Sequence, residues 1–513
     1  MCGFRVRSTP STRSTLPNDA PSATSSRSAR RARRVRPVLS SRALASVGVC
    51  CAAALALPVL SAGPGAAAPR DPAGPARPAA PAAAGGSTQS LRLAPLAGDR
   101  ALGNPAAQGL ARQSVRPFAL LGVVWDDPDA ELAGRVEVRT RDTRTGRWSG
   151  WQHLSTHNHE HAADPAGAER DARRLHGGTA PLWVGTSDGV EVRVRPGGEV
   201  SAATGAHSHE HKPDPTGESV LPAGLRLELV DPGTLPGETP RTEGGQPGGQ
   251  GALTSAETAV SRTNEPLAEV GAVEVPARSA AEVRAEQGAT DLPYAAPQPR
   301  IVTRKGWGAD ESIRQGDFLY TDTVKAAFVH HTASGNNYSC AEAPALIRGI
   351  YRYHVQSEGW RDIGYNFLVD KCGTVYEGRA GGVAKPVMGA HTLGFNEDST
   401  GVAVLGTHSE DEAPAPALDA LKKLTAWKLG LHGADPAGTT ELVSGGGNRF
   451  PKGQKVKLKV ISGHRDGFST ECPGEKLYEK LDEIRTGAAE HQGRKPEEGQ
   501  PGEGQPEQPE QPS

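Results

Sequence analysis

Lys325-Ala326-Ala327-Phe328-Val329-His330-His331-Thr332-Ala333 is an apolar run of strand length that ends in two histidines. Around it the hydrophobic period changes repeatedly. Residues 366–370, 374–377, 402–406 and 457–462 have the length and composition of strands. Residues 341–358, 416–431 and 475–486 instead show helical spacing. Leu346, Ile350 and Tyr353 recur at i, i+4 and i+7, and Leu477, Leu481 and Ile484 do the same. Helices interleaved with strands predict an α/β domain over residues 299–489, a mixed central sheet flanked by helices.

Upstream the pattern is different. Residues 118–125, 134–141, 147–151, 182–185, 189–195 and 225–230 are each of strand length. In Arg135-Val136-Glu137-Val138-Arg139 and Val190-Glu191-Val192-Arg193-Val194, apolar and charged residues alternate at period two. With Gly, Pro and Asp punctuation between them, these segments predict an antiparallel, all-β sandwich-like domain over residues 89–233. Trp125, Trp148, Trp151 and Trp183 fall here and read as core packing in preference to a sugar-stacking face. Residues 69–88 and 234–298 read as linkers, the second with a helical piece near 279–287, and the Pro/Glu/Gly/Gln-rich tail 490–513 is expected to be disordered.

The composition agrees with compact domains alternating with open stretches. The 63 glycines and 42 prolines make up about a fifth of the 513 residues, against only 8 Phe, 8 Tyr and 7 Trp. A net charge of −2 excludes a globally basic nucleic-acid binder. Seven arginines and no acid lie between Arg27 and Arg42, followed by an apolar run over 43–60 and then Ser61-Ala62-Gly63. That order is the pattern of a secretory signal peptide, so residues 1–68 are taken as signal and lead, and the mature protein as secreted or associated with the cell wall. An N-terminal anchor competes for the same run, while Val49 before Cys50 disfavours a lipidation site. No stable membrane span is expected after cleavage. The mature chain then keeps Cys340, Cys372 and Cys472.

Chemistry concentrates in two places, His330 at the strand end and the segment Ser462-Gly463-His464-Arg465-Asp466 with Thr470-Glu471-Cys472-Pro473-Gly474. A His and a Cys eight residues apart, joined to a distant strand-end His, make a His-His-Cys set that suits zinc and leaves a fourth position for water. Core histidines and a third disulfide candidate are the bland reading of the same residues.

The region 300–489 resembles the type-2 N-acetylmuramoyl-L-alanine amidases and the peptidoglycan recognition proteins. The likeness rests on Trp307-Gly308-Ala309, the H-H-T-A at His330, and Gly359-Trp360-Arg361-Asp362-Ile363-Gly364-Tyr365-Asn366-Phe367. It continues through Val375-Tyr376-Glu377-Gly378-Arg379, Gly389-Ala390-His391-Thr392 to Asn396, and Gly463-His464-Arg465-Asp466 with Thr470 and Cys472-Pro473. The resemblance implies a Zn²⁺ cleft with His330, His464 and Cys472 as ligands, and Tyr365 and Thr470 as catalytic residues. It implies that His391, Asn396 and Arg379 meet the muramoyl-peptide, Arg379 being equally open to a structural pairing. His331, next along the strand, is expected to point away from the metal. His354 reads as a packed, hydrogen-bonded histidine. With Cys472 taken as a ligand, Cys340 and Cys372 are left as an even pair, expected to be a disulfide. The implied function is hydrolysis of the amide between N-acetylmuramic acid and L-alanine in peptidoglycan; the alternative is a non-catalytic peptidoglycan-binding module.

Two features stand outside the resemblance. Residues 433–457 look like an insertion, read either as a groove wall or hairpin for anionic polymer or as a solvated loop. His157-Asn158-His159-Glu160-His161 recurs as His207-Ser208-His209-Glu210-His211, and an extended backbone puts the three histidines of each on one face. Six histidines so grouped could hold an extra metal ion; polar loop sequence between strands is the competing reading.

Overall fold

The computed structural model describes residues 85–96, 107–156, 161–164, 167, 175–197, 221–235, 252–286 and 293–495. The expected signal peptide, most of the first linker, His157, His159, the whole second histidine repeat and residues 496–513 lie outside the described residues. All described residues belong to one of the chain's two units, Pro78–Ser513.

The N-terminal part is all β. Its strands are β1 (Ser87–Arg92), β2 (Ala94–Pro95), β3 (Gln108–Trp125), β4 (Gly134–Asp142), β5 (Gln152–Leu154), β6 (Gly177–Gly178), β7 (Leu182–Pro196) and β8 (Arg226–Asp231). They pair antiparallel in the order β1-β8-β3-β7-β4-β5, with β2 and β6 also on β3. Register shifts between Leu110 and Leu120 bend β3 against β7, which lets one hydrogen-bonded sheet curl round its own core. Two expected strands, 182–185 and 189–195, are thus halves of β7. The segment expected at 147–151 only bridges at Trp148, and the pairing falls on β5 instead. Trp125 and Trp183 are core residues. Trp148 and Trp151 are only partly buried, lying under the guanidinium groups of Arg112, Arg139 and Arg193. Core packing therefore accounts for two of the four tryptophans.

The run Phe118-Ala119-Leu120-Leu121-Gly122-Val123-Val124-Trp125 in β3 is buried almost continuously because both of its faces are covered. Leu121, Val123 and Trp125 point into the β-domain core. Ala119, Leu120 and Val124 point the other way, onto a helix of the second region.

That region has a seven-stranded mixed sheet in the order β17-β11-β14-β12-β13-β10-β9. Its middle is parallel: β17 (Ile461–Gly463), β11 (Ala326–His331), β14 (Ser399–Val404) and β12 (Phe367–Val369) run the same way. The strands β13 (Val375–Glu377), β10 (Ile301–Val302) and β9 (Glu274–Val275) complete it. Helices α5 (Ala415–Gly430) and α8 (Leu481–His491) cover one face, with Leu421, Leu424, Trp427 and Ile484 packed on Val329, Val402 and Val404. Helix α4 (Ala343–Arg352), extended by a π-helical turn over Tyr353–Ser357, covers the other. The α/β architecture with flanking helices stands.

The linker expected at 234–298 needs correction. From residue 252 the chain forms α1 (Ser255–Arg262), β9, the expected helical piece as α2 (Ala280–Glu286) and then α3 (Arg304–Trp307), and β9 is an edge strand of the sheet. The elements α1, β9 and α2 each bury a single apolar side chain, Val260, Val275 and Val283. That is too sparse for a periodic signal. The insertion at 433–457 contributes to a hairpin of β15 (Thr439–Val443) and β16 (Lys455–Lys459). Leu442, Val456 and Leu458 pack on Phe328 and Phe395, and the intervening lysines are exposed.

The β domain rests on α4. Leu120, Val124, Trp183 and Val230 share one buried cluster with Leu346, Ile347, Ile350 and Tyr353. The Tyr353 hydroxyl donates to Thr179 O at 3.0 Å, the Arg348 guanidinium to Pro232 O and Gly233 O at 3.1 Å, and Ser357 Oγ to Glu228 Oε2 at 3.2 Å. Gly122 is required at this contact, because a Cβ there would overlap the Tyr353 ring.

Candidate metal centre

The centre lies at the carboxyl ends of two adjacent parallel strands, where open α/β sheets place their sites. β11 ends in His330 and His331, and β17 pairs with it so that Val329 lies opposite Gly463, directly before His464. Side chains alternate along β11: Ala327 and Val329 enter the α5/α8 core, and Phe328 faces the opposite way. His331 keeps to its own side, where its Nδ1 accepts the His408 N–H at 3.1 Å.

His464 begins a short turn, α6 (His464–Gly467), and α7 (Glu475–Tyr478) follows it before α8. The Asp466 carboxylate fixes that turn, accepting the Gly463 N–H at 2.8 Å and the Tyr478 hydroxyl at 2.7 Å. The chain then returns so that the Arg465 N–H donates to Cys472 O at 3.0 Å. The Thr470 hydroxyl accepts the Cys472 N–H at 3.1 Å, which braces the cysteine's turn.

His330, His464 and Cys472 meet in the interior, and a fourth residue joins them: His161, from the β domain. One ligand atom from each lies within 4.8 Å of all the others, and all four residues are buried. Cys472 Sγ is 3.7 Å from His330 Nδ1 and 3.8 Å from His161 Nε2. Tetrahedral zinc with bonds of ~2.0–2.3 Å sets its ligand atoms about 3.4–3.6 Å apart, so the donor set fits that ion. Burial holds His330 well below the ordinary histidine range, the neutral form a ligand requires, with His464 and His391 adding to the shift.

The rest of the centre orients His330. Its Nε2, on the far side of the ring from Cys472, faces His391 Nδ1 at 3.3 Å and Thr392 Oγ1 at 3.4 Å. His391 lies against β14 at Gly401, where any side chain would overlap its ring. Burial pushes His391 down to about 3. Asn396 Oδ1 accepts the backbone N–H groups of His391 and Thr392 at 2.8 and 3.1 Å. Tyr365, also buried, sets its ring 5.5 Å from His330 and 5.6 Å from His161. His354 stacks on Trp360 and accepts the Gly364 N–H at 3.2 Å, a packed histidine.

The residues expected to meet substrate are placed differently from one another. Arg379 is buried and donates to the carbonyls of Ile363 and Met388, so its guanidinium braces the backbone. His391 and Asn396 are fully buried. The Asn396 amide also donates to Ala162 O and Asp164 Oδ1, both at 2.9 Å. Cys340 and Cys372 form a disulfide with Cα atoms 6.2 Å apart. Of the histidine repeats, expected as polar loop sequence or as an extra metal site, the only histidine among the described residues, His161, joins His330, His464 and Cys472. The His-x-His-x-His spacing marks His161 as a possible ligand, while nothing in the local sequence indicates which residues it meets.

Residues 320–475 match the N-acetylmuramoyl-L-alanine amidase family, and residues 75–217 match the family described as Rv3811 N-terminal galactose-binding domain-like. Peptidoglycan-recognition protein SC2 of Drosophila simulans is 32% identical over 188 residues, covering 36% of this chain and 85% of that protein. The chain belongs to the type-2 amidase and peptidoglycan recognition protein family. Another family member, the peptidoglycan recognition protein of Trichoplusia ni, is 30% identical over 181 residues, 35% of this chain and 85% of its own. A solved structure of peptidoglycan recognition protein-LE in complex with tracheal cytotoxin shares 31% identity over 36% of this chain and 92% of that one, at a TM-score of 0.29. The family likeness thus covers the C-terminal domain, and the galactose-binding-like match covers the β domain. Among the described residues no helix is long and apolar enough to cross a membrane.

Proposed function

We propose that this family member is a secreted, zinc-dependent N-acetylmuramoyl-L-alanine amidase that binds peptidoglycan and hydrolyses the amide joining N-acetylmuramic acid to L-alanine. The observation that carries the reading is the buried convergence of His330, His464 and Cys472 beside Tyr365 in a chain of this family. Zinc bound there would lower the pKa of its water to about 7 and polarise the scissile carbonyl.

The chain's own residues divide the remaining tasks. His391 and Thr392 hold the His330 ring with Nδ1 toward Cys472. The Tyr365 phenol donates a hydrogen bond to the oxyanion that develops on the carbonyl; loss of one such donor commonly costs ~10²–10³ in rate. Thr470 acts on the turn that carries Cys472. Burial of the whole cluster excludes bulk water from the reacting groups. The domains that go with this reading are a β domain over 85–235 and a metal domain over 252–495.

A second reading has one observation in its favour. The relatives are named as recognition proteins, and His161 supplies a fourth donor at a centre that needs an open position for catalysis. The test is mass spectrometry of products released from purified sacculi. The amidase reading expects peptides beginning with L-alanine, lost with Cys472→Ser and under chelation, and restored by Zn²⁺. Protein that sediments with sacculi and releases no such peptide, even with His161 replaced, is a binding module.

A further inference from the structure

We infer that His161 is the fourth ligand of the metal centre and that residues 161–164 keep the enzyme latent by occupying the groove above it. The inference rests on the amidase reading and adds its regulation.

Three independent contacts place the segment. First, His161 Nε2 lies 3.8 Å from Cys472 Sγ, essentially the separation of His330 Nδ1 from the same sulfur at 3.7 Å. Its ring centroid is 4.5 Å from that of His464 and 5.2 Å from that of His330. Second, the backbone is tied down just beyond, where Ala162 O accepts from Asn396 Nδ2 at 2.9 Å. Third, Asp164 Oδ1 accepts the Gly394 N–H at 2.6 Å and the same Asn396 amide at 2.9 Å.

These contacts have a common chemistry. A peptide carbonyl one residue and a carboxylate three residues beyond a metal-directed imidazole engage an N–H and a side-chain amide beside the centre. A stem peptide presents the same two acceptor types, carbonyls and carboxylates. Residues 162–164 therefore use donors that a muramoyl-peptide would need. Asn396 links the two ends, since its oxygen holds the His391 and Thr392 N–H groups behind His330 while its nitrogen holds the segment.

The sheet that carries the segment is fixed to α4 by the shared apolar cluster, by Tyr353 and by Arg348. Additional pairing lies close by, with the His176 N–H donating to Glu358 O and the Trp183 N–H to Ser334 O, both at 3.0 Å. A closed set of four protein donors is the arrangement of structural zinc, whereas catalytic zinc keeps one position for water. Activation is then an exchange of neutral ligands, in which His161 leaves and a water enters. Substrate affinity is lowered by the fraction of molecules in which His161 is bound.

The experiment uses the full chain with Co²⁺ in place of zinc, and azide as the probe of an open coordination position. Wild type, His161→Ala and Asp164→Ala are compared by visible absorption, by zinc competition with a chelator, and by release of L-alanine-terminated peptides from sacculi. In wild type the Co²⁺ spectrum should not respond to azide; in both variants it should. His161→Ala should also bind zinc at least ~10-fold more weakly, since loss of even an outer partner costs ~10–100-fold. Asp164→Ala retains every metal ligand and keeps the test valid if His161→Ala fails to fold; it should release peptide about 10-fold faster than wild type or more. An azide response in wild type equal to that of the variants overturns the latency, and the amidase reading then stands or falls on peptide release alone. Azide access gained in the variants with no peptide released by any form upholds the closed ligand set and removes the amidase reading.

Discussion

His330 Nε2 lies 3.3 Å from His391 Nδ1, while His330 Nδ1 points the other way, 3.7 Å from Cys472 Sγ. One imidazole thus bridges a buried support and the metal-directed thiol. His391→Phe keeps the ring's bulk and removes the nitrogen that orients His330. Zinc affinity should fall by ~10–100-fold, as for other partners behind a ligand. Competition with a chromogenic chelator measures it, and an unchanged affinity would mean that Thr392 alone suffices.

Asp466 supports the second histidine from the backbone side, through Gly463 N–H and the Tyr478 hydroxyl. Asp466→Ala leaves both donors without their acceptor and should cost about 1–3 kcal/mol of stability. Tyr478→Phe removes one of the two bonds and should cost about 1 kcal/mol. Urea unfolding of the metal-free protein reads both values, and equal losses would place the carboxylate's effect in Tyr478 alone.

The Cys340–Cys372 disulfide closes a loop of 32 residues that contains α4 and Tyr365. Replacing both cysteines by alanine should lower stability by about 3–4 kcal/mol through the entropy of the unfolded chain. The loss should be visible as a reduced urea midpoint. A midpoint within experimental error of wild type would show that the two parts of the loop are held together without the bond.

Lys428 is buried in α5, its ammonium group donating to Val383 O at 2.8 Å and Lys385 O at 2.6 Å, and burial pushes its pKa down to about 7 from 10.5. Between those two values the unfolded chain carries a proton on this residue that the folded chain lacks. Stability from this group therefore rises with pH across that window, by at most ~1.4 kcal/mol per pH unit, and is absent below it. Lys428→Met should flatten the wild-type rise in melting temperature between about pH 7 and pH 9. Parallel curves for the two proteins would show that the amine stays charged in the folded state.

The parts of the centre that could be read in the sequence are those carried by local patterns. An apolar strand ending in His330, and a glycine turn leading into His464 and on to Cys472, announce ligands at strand ends. The alternation that turns His331 away is equally local. What escaped notice depends on long-range packing. The His-x-His-x-His spacing marks His161 as a possible metal holder, but its partners do not show in the sequence, and only the docking of its domain on α4 brings it to the thiol. Val260, Val275 and Val283 are single anchors in short elements, so the segment that supplies β9 looked like linker. Arg379, open in the sequence to a groove contact or a structural pairing, donates to two backbone carbonyls, a role that residue type alone does not distinguish from ligand binding. The run 118–125 reads as a strand, and that both of its faces are covered shows only once the β domain meets α4.

That run has a consequence for how the molecule comes apart. Leu121 and Val123 belong to one core while their neighbours Leu120 and Val124 belong to the next, so β3 cannot leave either without exposing the other. Melting of residues 85–495 should therefore appear in calorimetry as a single transition, with calorimetric and van't Hoff enthalpies in agreement. Excision of the C-terminal half would bare Ile347, Ile350 and Tyr353 to water, and the fragment would be sticky and poorly soluble. One strand thus ties the two domains into a single cooperative unit, and a mutation that loosens either core should loosen both.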